Sequence, residues 1–528
     1  MWRSDGRSTM ESPERVERSG EAMKDSPQMS EKRPKTSRRV PLSRRQVLVG
    51  AGVAAGGLGV ARLLGLHDLS QLGLPGQSPT TPAASGAPGT GVDWVAPLSK
   101  PEAQIAHLLR RATFGYSRAE YEQSVKDGFN MTVDRLVESK PAEPDAFPGG
   151  DDASRTKPLN IGALQTWWIT WMQKTPTPFA ERMTFFWHGH FTSDFRKVSP
   201  QTPYIYWQNL TWRRMALADL RSMLYQVTID PGMLRYLDLG QSTGKSPNEN
   251  YSRELMELFT MGVGHYTEDD VRAGAKALSG WREPVTQAMY DDLVARAQQQ
   301  GRQVPKNLKV DDVKSGVFEP ARSYNGTVAY LGVTKRWDTQ AVLDRILEQD
   351  AVAPFIVTKV LREFVMDSPA DAYVTRLADG FRKSRYDVKT LMRAVFTSPE
   401  FVSPPAYRAL VKSPTELMVS TAKAVENPQL ARTIVQSAPG MGQTLFDPPE
   451  VGGWPSNASW ISSADVLSRL NFTVNALATM PKLPAFTNAH ATFLDGVIGP
   501  KTAELLNQTG DEASRWLIVL ASPEFQLK

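Results

Sequence analysis

Helix-start patterns recur along this chain from about residue 94 onward, and they constrain its fold more than any other feature. Ser117 and Thr267 each stand three residues before an acid, Glu120 and Asp270, which is the spacing of a capping box. Apolar residues at helical spacing follow, whereas few segments alternate as a half-buried strand would. Further helices are predicted at about 101–113, 160–173, 178–188, 203–228, 339–349, 352–365, 370–384 and 387–397. The sequence therefore predicts a mainly α protein.

We predict that this helical body is one large multi-helix domain over residues 94–528. A body of about 430 residues buries most of its apolar surface, so it needs no disulfide or metal to hold a core. One stretch, 284–325, is rich in Gln, Lys, Asp and Gly and breaks the helical pattern. We expect it to be an insertion or a lid-like excursion over the core.

The residues before 94 have a different composition. Residues 1–42 are polar and mixed in charge, which predicts a disordered extension. Arg44 and Arg45 are followed by an apolar Gly/Ala-rich stretch, so residues 43–66 are predicted to be a twin-arginine signal. Residues 67–93, rich in Gly, Pro, Ser and Thr, read as a flexible linker. A permanent N-terminal anchor is the alternative interpretation of the signal segment.

This signal predicts export. We expect contact with the twin-arginine export machinery, transient membrane contact through the signal segment, and a final location outside the cell or in the cell envelope. Residues 1–46 hold 12 Lys and Arg against 7 Asp and Glu, which accounts for the whole net charge of +5. The body is thus formally neutral, and nucleic acid is not an expected partner. The absence of cysteine excludes disulfides, thiolate metal sites and Cys nucleophiles.

A polar helix after residue 246 is the first candidate site. Ser246 is predicted to cap it, with Pro247 in its first turn and Gly262 or Gly264 at its end. Four polar residues fall at i, i+3, i+4 and i+7 and share one face; these catalytic candidates are Asn250, Arg253, Glu254 and Glu257. Either Arg253 would hold a carboxylate ionised, or one Glu would keep a proton and act as general acid or base. The alternative is a solvated face with surface ion pairs.

Histidines supply the second candidate site. His188 and His190 stand at the end of an apolar helix, and His265 follows the polar helix. Together with Glu254 or Glu257, these three imidazoles would suit a divalent metal such as zinc or iron, and His188 is also a catalytic candidate. Two imidazoles two residues apart diverge on a helix, so a metal site requires the chain to leave the helix at Gly189. The alternative is that these are core histidines.

Three familiar enzyme patterns are not met. Residues 240–246 resemble a phosphate loop, but the glycine spacing is one residue short and no buried strand precedes them. The Gly-x-Ser-x-Gly elbow and the His-Glu-x-x-His zinc pattern are absent. Aromatic residues cluster twice: the tryptophans from Trp167 to Trp212 are expected in the core, while Trp454 and Trp460 could stack on sugar rings if exposed.

Several segments together resemble the uncharacterised bacterial family catalogued as domain of unknown function 1800. The resemblance runs from about Ala106 to Phe525, and its landmarks are Leu109 to Gly115, Glu181-Arg182-Met183, Trp187 to Phe191, Asn248 to Gly262, Leu278 to Trp281, Pro354 to Ile356, and Met441 to Pro455. It implies an exported, largely helical protein, often encoded beside a sulfatase-like protein that would be a co-exported partner. It implies no particular activity.

Three functions stay open on the sequence. The leading hypothesis is a hydrolase or metal-assisted enzyme of the cell envelope, built on the 248–257 helix and the 187–190 turn. The first alternative is a non-catalytic partner or scaffold for a co-exported enzyme. The second is a carbohydrate-binding wall protein that uses Trp454 and Trp460.

Overall fold

The computed structural model describes residues 97–150, 159–198, 202–304 and 308–528. These residues form 23 α-helices and two small antiparallel sheets, which confirms the prediction of a mainly α fold. The predicted extension, the signal with Arg44 and Arg45, and the linker up to residue 93 lie outside the described residues. None of the described helices combines the length and the apolar run that crossing a bilayer would take.

The helices in the first half of the described chain are α1 Pro101–Ala112, α2 Arg118–Asp127, α3 Phe129–Glu138, α4 Ile161–Lys174, α5 Pro178–His190, α6 Phe195–Val198, α7 Tyr204–Arg214, α8 Leu220–Ile229, α9 Pro231–Tyr236, α10 Asn250–Glu254, α11 Glu268–Ala277 and α12 Gln287–Gln299. A π-helical turn, Leu255–Thr260, continues α10.

The helices in the second half are α13 Thr339–Leu347, α14 Val352–Phe364, α15 Asp371–Lys383, α16 Val388–Phe396, α17 Pro414–Ala424, α18 Ala431–Ser437, α19 Ser463–Ala478, α20 Ala489–Leu494, α21 Pro500–Gln508, α22 Glu512–Ala521 and α23 Pro523–Gln526. The strands are β1 Trp281–Arg282, β2 Val317–Phe318, β3 Val328–Tyr330 and β4 Val333–Lys335; β1 pairs with β2 and β3 with β4.

Helix starts follow the local capping chemistry. The boxes predicted at Ser117 and Thr267 are both present, with each hydroxyl and each acid bonded to the expected backbone N–H. The single helix predicted over 203–228 is wrong. The chain turns between α7 and α8 because the Asp219 side chain accepts the N–H of Ser222 and starts a new helix there.

One continuous core of buried apolar side chains runs from α1 to α23. Trp168, Trp187, Trp207 and Trp212 lie in it, as predicted for the first aromatic cluster. Glu181 lies among them and is fully satisfied: two indole N–H groups donate to its carboxylate at 2.5 and 2.9 Å, and Arg213 donates twice at 2.8 Å. Such a carboxylate orders the core because every one of its partners is fixed.

The 284–325 segment leaves the helical core at β1 and returns at β2, where Trp281 pairs with Phe318 and Arg282 with Val317. Its α-helix α12 has no buried residue. The Arg282 guanidinium bonds to Asp311 at 2.7 Å and so joins the start of the segment to its return path. Its assignment as an inserted unit stays a prediction.

Candidate functional site

The polar helix begins later than its sequence suggests. The predicted cap at Ser246 is wrong, because the chain is still non-helical there and the Ser246 N–H bonds to Thr243. The helix starts at Asn250, whose N–H is accepted by Asn248 Oδ1 at 2.9 Å. The predicted stop is confirmed: the helical chain ends at Thr260 and Gly262 takes a φ of +81°.

The four polar candidates of this helix lie on a partly exposed surface. Arg253 bonds twice to Glu268, at 2.6 and 2.8 Å, and stands 3.5 Å from Glu249. Glu257 accepts the Tyr266 hydroxyl at 2.6 Å. Burial, and then the nearby Glu257 carboxylate, raise the pKa of Glu254. Asn250 Nδ2 lies 3.4 Å from Asp238 Oδ2, and none of the four side chains hydrogen-bonds to His188 or His190. Their part in a reaction stays a prediction.

The histidines do not form the predicted metal set. Gly189 remains helical and α5 continues through His190, so the two imidazoles point in different directions. His188 Nε2 accepts the Phe446 N–H at 3.2 Å, and His190 Nε2 lies 3.0 Å from the Phe259 carbonyl. His265 is exposed. Within the described residues no three His, Asp or Glu side chains gather as a metal site would require, so His188, His190 and His265 are not assembled around one point.

Both α5 histidines are buried and held neutral. Burial lowers the pKa of His188 to about 3. Burial, and then the positive charge of Lys359, lower the pKa of His190 well below its usual value. Neutral imidazoles can accept a hydrogen bond, and His190 uses this capacity toward a lysine.

The π-helical turn supplies the main-chain groups of the site. In this turn the N–H of Met261 bonds to the carbonyl of Met256, five residues back, at 2.8 Å. The carbonyls of Leu258 and Phe259, in this turn, form hydrogen bonds with side chains. Lys359 donates to the Leu258 carbonyl at 3.2 Å, and His190 bonds to the Phe259 carbonyl. Such insertions into α-helices are frequent at functional sites. The polar helix thus meets an imidazole through its backbone, and not through its carboxylates.

Lys359 on α14 is the residue that these groups position. Its Nζ lies 3.3 Å from His190 Nδ1 in addition to its bond with Leu258. A carbonyl can only accept, so His190 must carry its proton on Nε2, where it faces Phe259, and Nδ1 must be the acceptor for Lys359. Burial lowers the pKa of the Lys359 amine to about 8. About a tenth of the amine is therefore neutral at pH 7, and about half at pH 8.

Lys359 and His190 line a cavity of about 280 Å³. Its walls come from α5, α14, the start of α17 and the loop after residue 453; besides these two, the lining residues are Phe185, Phe186, Gly189, Arg362, Glu363, Leu410, Val411, Ser413, Glu416, Gln443, Trp454, Pro455, Ser456, Asn457, Trp460 and Lys528. The volume lies just below the roughly 300–1,000 Å³ that pockets for drug-sized ligands span, so it suits a small ligand. Trp454 and Trp460, the candidate sugar platforms, both lie in this wall.

A buried ionic network supports one side of the cavity. Arg182 binds Glu363 and, at 2.5 Å, Glu416; Lys528 Nζ lies 2.5 Å from Glu416 and 3.4 Å from Glu363. Burial alone would raise the pKa of Glu416, but Arg182 and Lys528 outweigh it and hold that pKa low. The Glu416 carboxylate therefore stays ionised between the two cations.

The loop that carries Trp454 is fixed by a close backbone approach. Gly453 has a φ of +96°, and a Cβ there would come within 2.5 Å of the Gly189 carbonyl oxygen. Only glycine fits this position. The approach holds Trp454 against the end of α5, with its ring centroid 5.2 Å from that of His188.

Sequence reasoning missed Lys359, Glu363 and Arg182 as site residues. A signal existed for Lys359: it stands between the apolar residues Ile356 and Val360 on one side of the predicted 352–365 helix, where a lysine is unusual. The partners of all three residues are distant in sequence, 234 positions in the case of Arg182 and Glu416, and no local pattern reveals them.

A family model described as Protein of unknown function (DUF1800) matches residues 107–527, most of the chain. Comparison with the curated proteins gives no match, and comparison with the solved structures gives none either.

Proposed function

The chain belongs to the family described as Protein of unknown function (DUF1800), and we propose that it is an exported hydrolase in which the Lys359 amine is the general base. The family description carries no activity, so the proposal stands on the residues of the cavity. Export by the twin-arginine route, with a destination outside the cell or in its envelope and a co-exported sulfatase-like partner, is part of the same proposal.

One observation carries it: two fixed acceptors use two of the N–H bonds of Lys359. The Leu258 carbonyl and His190 Nδ1 lie 3.2 and 3.3 Å from Nζ. A neutral amine has two N–H bonds and one lone pair, so with both N–H bonds engaged the lone pair is the group left for the cavity that Lys359 lines. A base with a pKa near 8 is close to the optimum for proton transfer at neutral pH.

The step assigned to Lys359 is the activation of water. The amine accepts one proton from a water molecule in the cavity, and the resulting hydroxide oxygen attacks the substrate. The bond to the leaving group breaks, and the leaving group takes the proton from the Lys359 ammonium. One water is consumed, and the lysine returns to its neutral form. His190 acts as a positioning residue, since it orients the amine and stays neutral throughout.

The test uses the purified full chain and a panel of chromogenic esters, amides, phosphoesters, sulfate esters and glycosides. Lys359→Met, which keeps an unbranched side chain without an amine, should reduce turnover by at least a hundredfold. Lys383→Met, at an exposed lysine of α15, is the matched control and should keep the parent rate. The kcat/KM of the parent should rise as pH increases through about 8.

Two results would overturn the proposal. The first is that the parent hydrolyses no member of the panel. The second is that Lys359→Met hydrolyses a member of the panel as fast as the parent does. The first is the result expected of a non-catalytic partner or scaffold, in which Lys359 has no chemical task. Applied to Glu254→Gln and Glu257→Gln, the same panel tests whether the polar helix takes part.

A further inference from the structure

The amide side chains in the cavity wall are oriented as donors. Gln443 Oε1 accepts the Thr415 N–H at 2.9 Å, and Asn457 Oδ1 accepts the Val411 N–H at 2.9 Å. A backbone N–H can bond only to the oxygen end of an amide, so this end is fixed in both residues. The two amide nitrogens have no hydrogen-bond partner among the described residues, and both side chains line the cavity.

A third donor in the same wall is also unpaired. The indole N–H of Trp454 is buried without a partner in the described part of the chain. Buried polar groups are nearly always satisfied, and an unsatisfied one next to a cavity is a reason to look for a ligand acceptor. The unpaired indole nitrogen thus lies in the wall of the same cavity of about 280 Å³ that the Gln443 and Asn457 side chains line.

The net charge of the cavity is positive, so it favours an anionic ligand, as the N–H donors do. Its two carboxylates, Glu363 and Glu416, are both bound by Arg182 and Lys528, so these four charges cancel. Arg362 also lines the cavity, forms no ion pair among the described residues, and so leaves the cavity positive even when the Lys359 amine is neutral. In a partly enclosed site, such a surplus attracts anions.

Aromatic rings form the remaining apolar wall. Phe185, Phe186, Trp454 and Trp460 all line the cavity. Phe185 is 9% exposed and Trp460 4%, so these rings shape the cavity from fixed positions in the core. Rings of this kind contact the flat apolar face of a ligand ring, whether aromatic or sugar.

We propose that the cavity binds a small ring compound that carries an oxyanion, such as a carboxylate, phosphate or sulfate. The oxyanion accepts from Gln443 Nε2 and Asn457 Nδ2, and the ring lies along the aromatic wall. Lys359 remains free for the reaction. This inference rests on the proposed function, because it names the substrate class of the same site.

The experiment is isothermal titration of the full chain with unreactive probes that share one ring. Benzoate, phenylphosphonate and benzenesulfonate carry an oxyanion, whereas benzamide is neutral. At least one oxyanion probe should bind ten times more tightly than benzamide. A parallel pair, glucuronate against glucose, separates an acidic sugar from an aromatic acid as the source of the oxyanion.

Isosteric variants then test the donors. Gln443→Glu and Asn457→Asp keep the oxygen that accepts from the backbone but replace the amide nitrogen with an acidic oxygen. Each should weaken the best oxyanion probe at least tenfold, while Gln299→Glu, at an exposed position of α12, serves as the matched control and should not. Lys359→Met should keep most of the affinity, since its amine is assigned to the reaction and not to the oxyanion.

A variant that fills the cavity but keeps the fold shows whether loss of probe binding can arise without misfolding. A Cβ at Gly189 would meet no atom within 4 Å, and Gly189 lines the cavity. Gly189→Leu should therefore fold, as judged by its circular dichroism and unfolding temperature, and should lose the binding of every probe.

The inference is overturned if the oxyanion probes bind no better than their neutral counterparts, or if Gln443→Glu and Asn457→Asp bind them as well as the parent does. Lys359-dependent hydrolysis of neutral substrates would then keep the proposed function and reject only the substrate class. Conversely, oxyanion binding without any turnover would support the binding site and reject the hydrolase.

Discussion

His190 Nδ1 and Lys359 Nζ lie 3.3 Å apart, and the imidazole is oriented for this contact by the Phe259 carbonyl on its other nitrogen. The pair joins the end of α5 to the middle of α14, with the π-helical turn supporting both partners. Neither residue bonds to a carboxylate. The lysine is therefore a buried cation without a counter-ion among the described residues, which is unfavourable for stability.

Removal of this cation should stabilise the protein. Lys359 has a pKa of about 8 in the folded chain, against about 10.4 when unfolded. Below pH 8 both states are protonated and the full cost of burying the charge applies. Between pH 8 and about 10.4 only the unfolded state keeps the proton, so the stability of the parent rises with pH.

Lys359→Met should thus unfold with a free energy larger by on the order of 1–2 kcal/mol at pH 7, and this advantage should shrink between pH 8 and 10. Urea unfolding of both proteins at a series of pH values measures the difference. A variant that is less stable than the parent at pH 7 would show that the two hydrogen bonds of the amine outweigh its burial.

Buried imidazoles should make the protein sensitive to acid. His188 and His190 have pKa values lowered mainly by burial, to about 3 in the case of His188. As pH falls below about 6.5 the unfolded chain gains a proton that folded His188 does not, so stability falls by up to about 1.4 kcal/mol per pH unit for each such group.

The His188→Gln variant lacks the part of this acid-induced loss of stability that is due to His188. The dependence of its unfolding free energy on pH between 6 and 4.5 should be shallower than that of the parent by up to about 1.4 kcal/mol per unit. At pH 8, where imidazoles are neutral in both states, the two slopes should agree. Parallel curves across the acid range would mean that His188 becomes protonated within the fold.

Much of the helical framework could be predicted from the sequence, because helix starts depend on local chemistry. The helix predicted at 352–365 is α14, Val352–Phe364, and the capping boxes at Ser117 and Thr267 formed as expected. The break between α7 and α8 was missed because apolar periodicity continues across it and Asp219 acts as a cap only once the chain turns.

The site was harder to predict, because main-chain atoms and distant partners build it. His190, Trp454 and Trp460 were recognised as chemically distinctive, and all three line the cavity. Lys359 bonds to the Leu258 carbonyl in the last turn of Leu255–Thr260, which is wound as a π-helix although its side-chain pattern is that of an ordinary amphipathic helix. The spacing of apolar and polar residues therefore does not reveal a π-helical turn.

Removal of one charge from the ionic network behind the cavity should lower the free energy of unfolding far more than removal of one charge from the ion pairs on the polar helix. Glu416→Gln would leave Arg182 and Lys528, both buried, with Glu363 as their only carboxylate. Loss of a buried partner destabilises by about 3–5 kcal/mol. Glu268→Gln, which breaks the exposed pair with Arg253, should change stability by less than about 1 kcal/mol. Urea unfolding at pH 7 compares them, and similar losses in both variants would contradict the burial of the network.

Gly189 and Gly453, whose backbones approach closely, should respond in opposite directions to the same substitution. Gly189→Ala adds a methyl group to a helical residue with nothing within 4 Å, and it should stabilise by roughly 0.5–1 kcal/mol. Gly453→Ala places a Cβ 2.5 Å from the Gly189 carbonyl oxygen at a φ of +96°, and it should destabilise by at least about 1–3 kcal/mol. It should also move Trp454 away from His188, which a change in tryptophan fluorescence would report. If Gly453→Ala left both stability and fluorescence unchanged, the loop would not be anchored on α5, and the cavity wall that carries Trp454 and Asn457 would not be fixed in place.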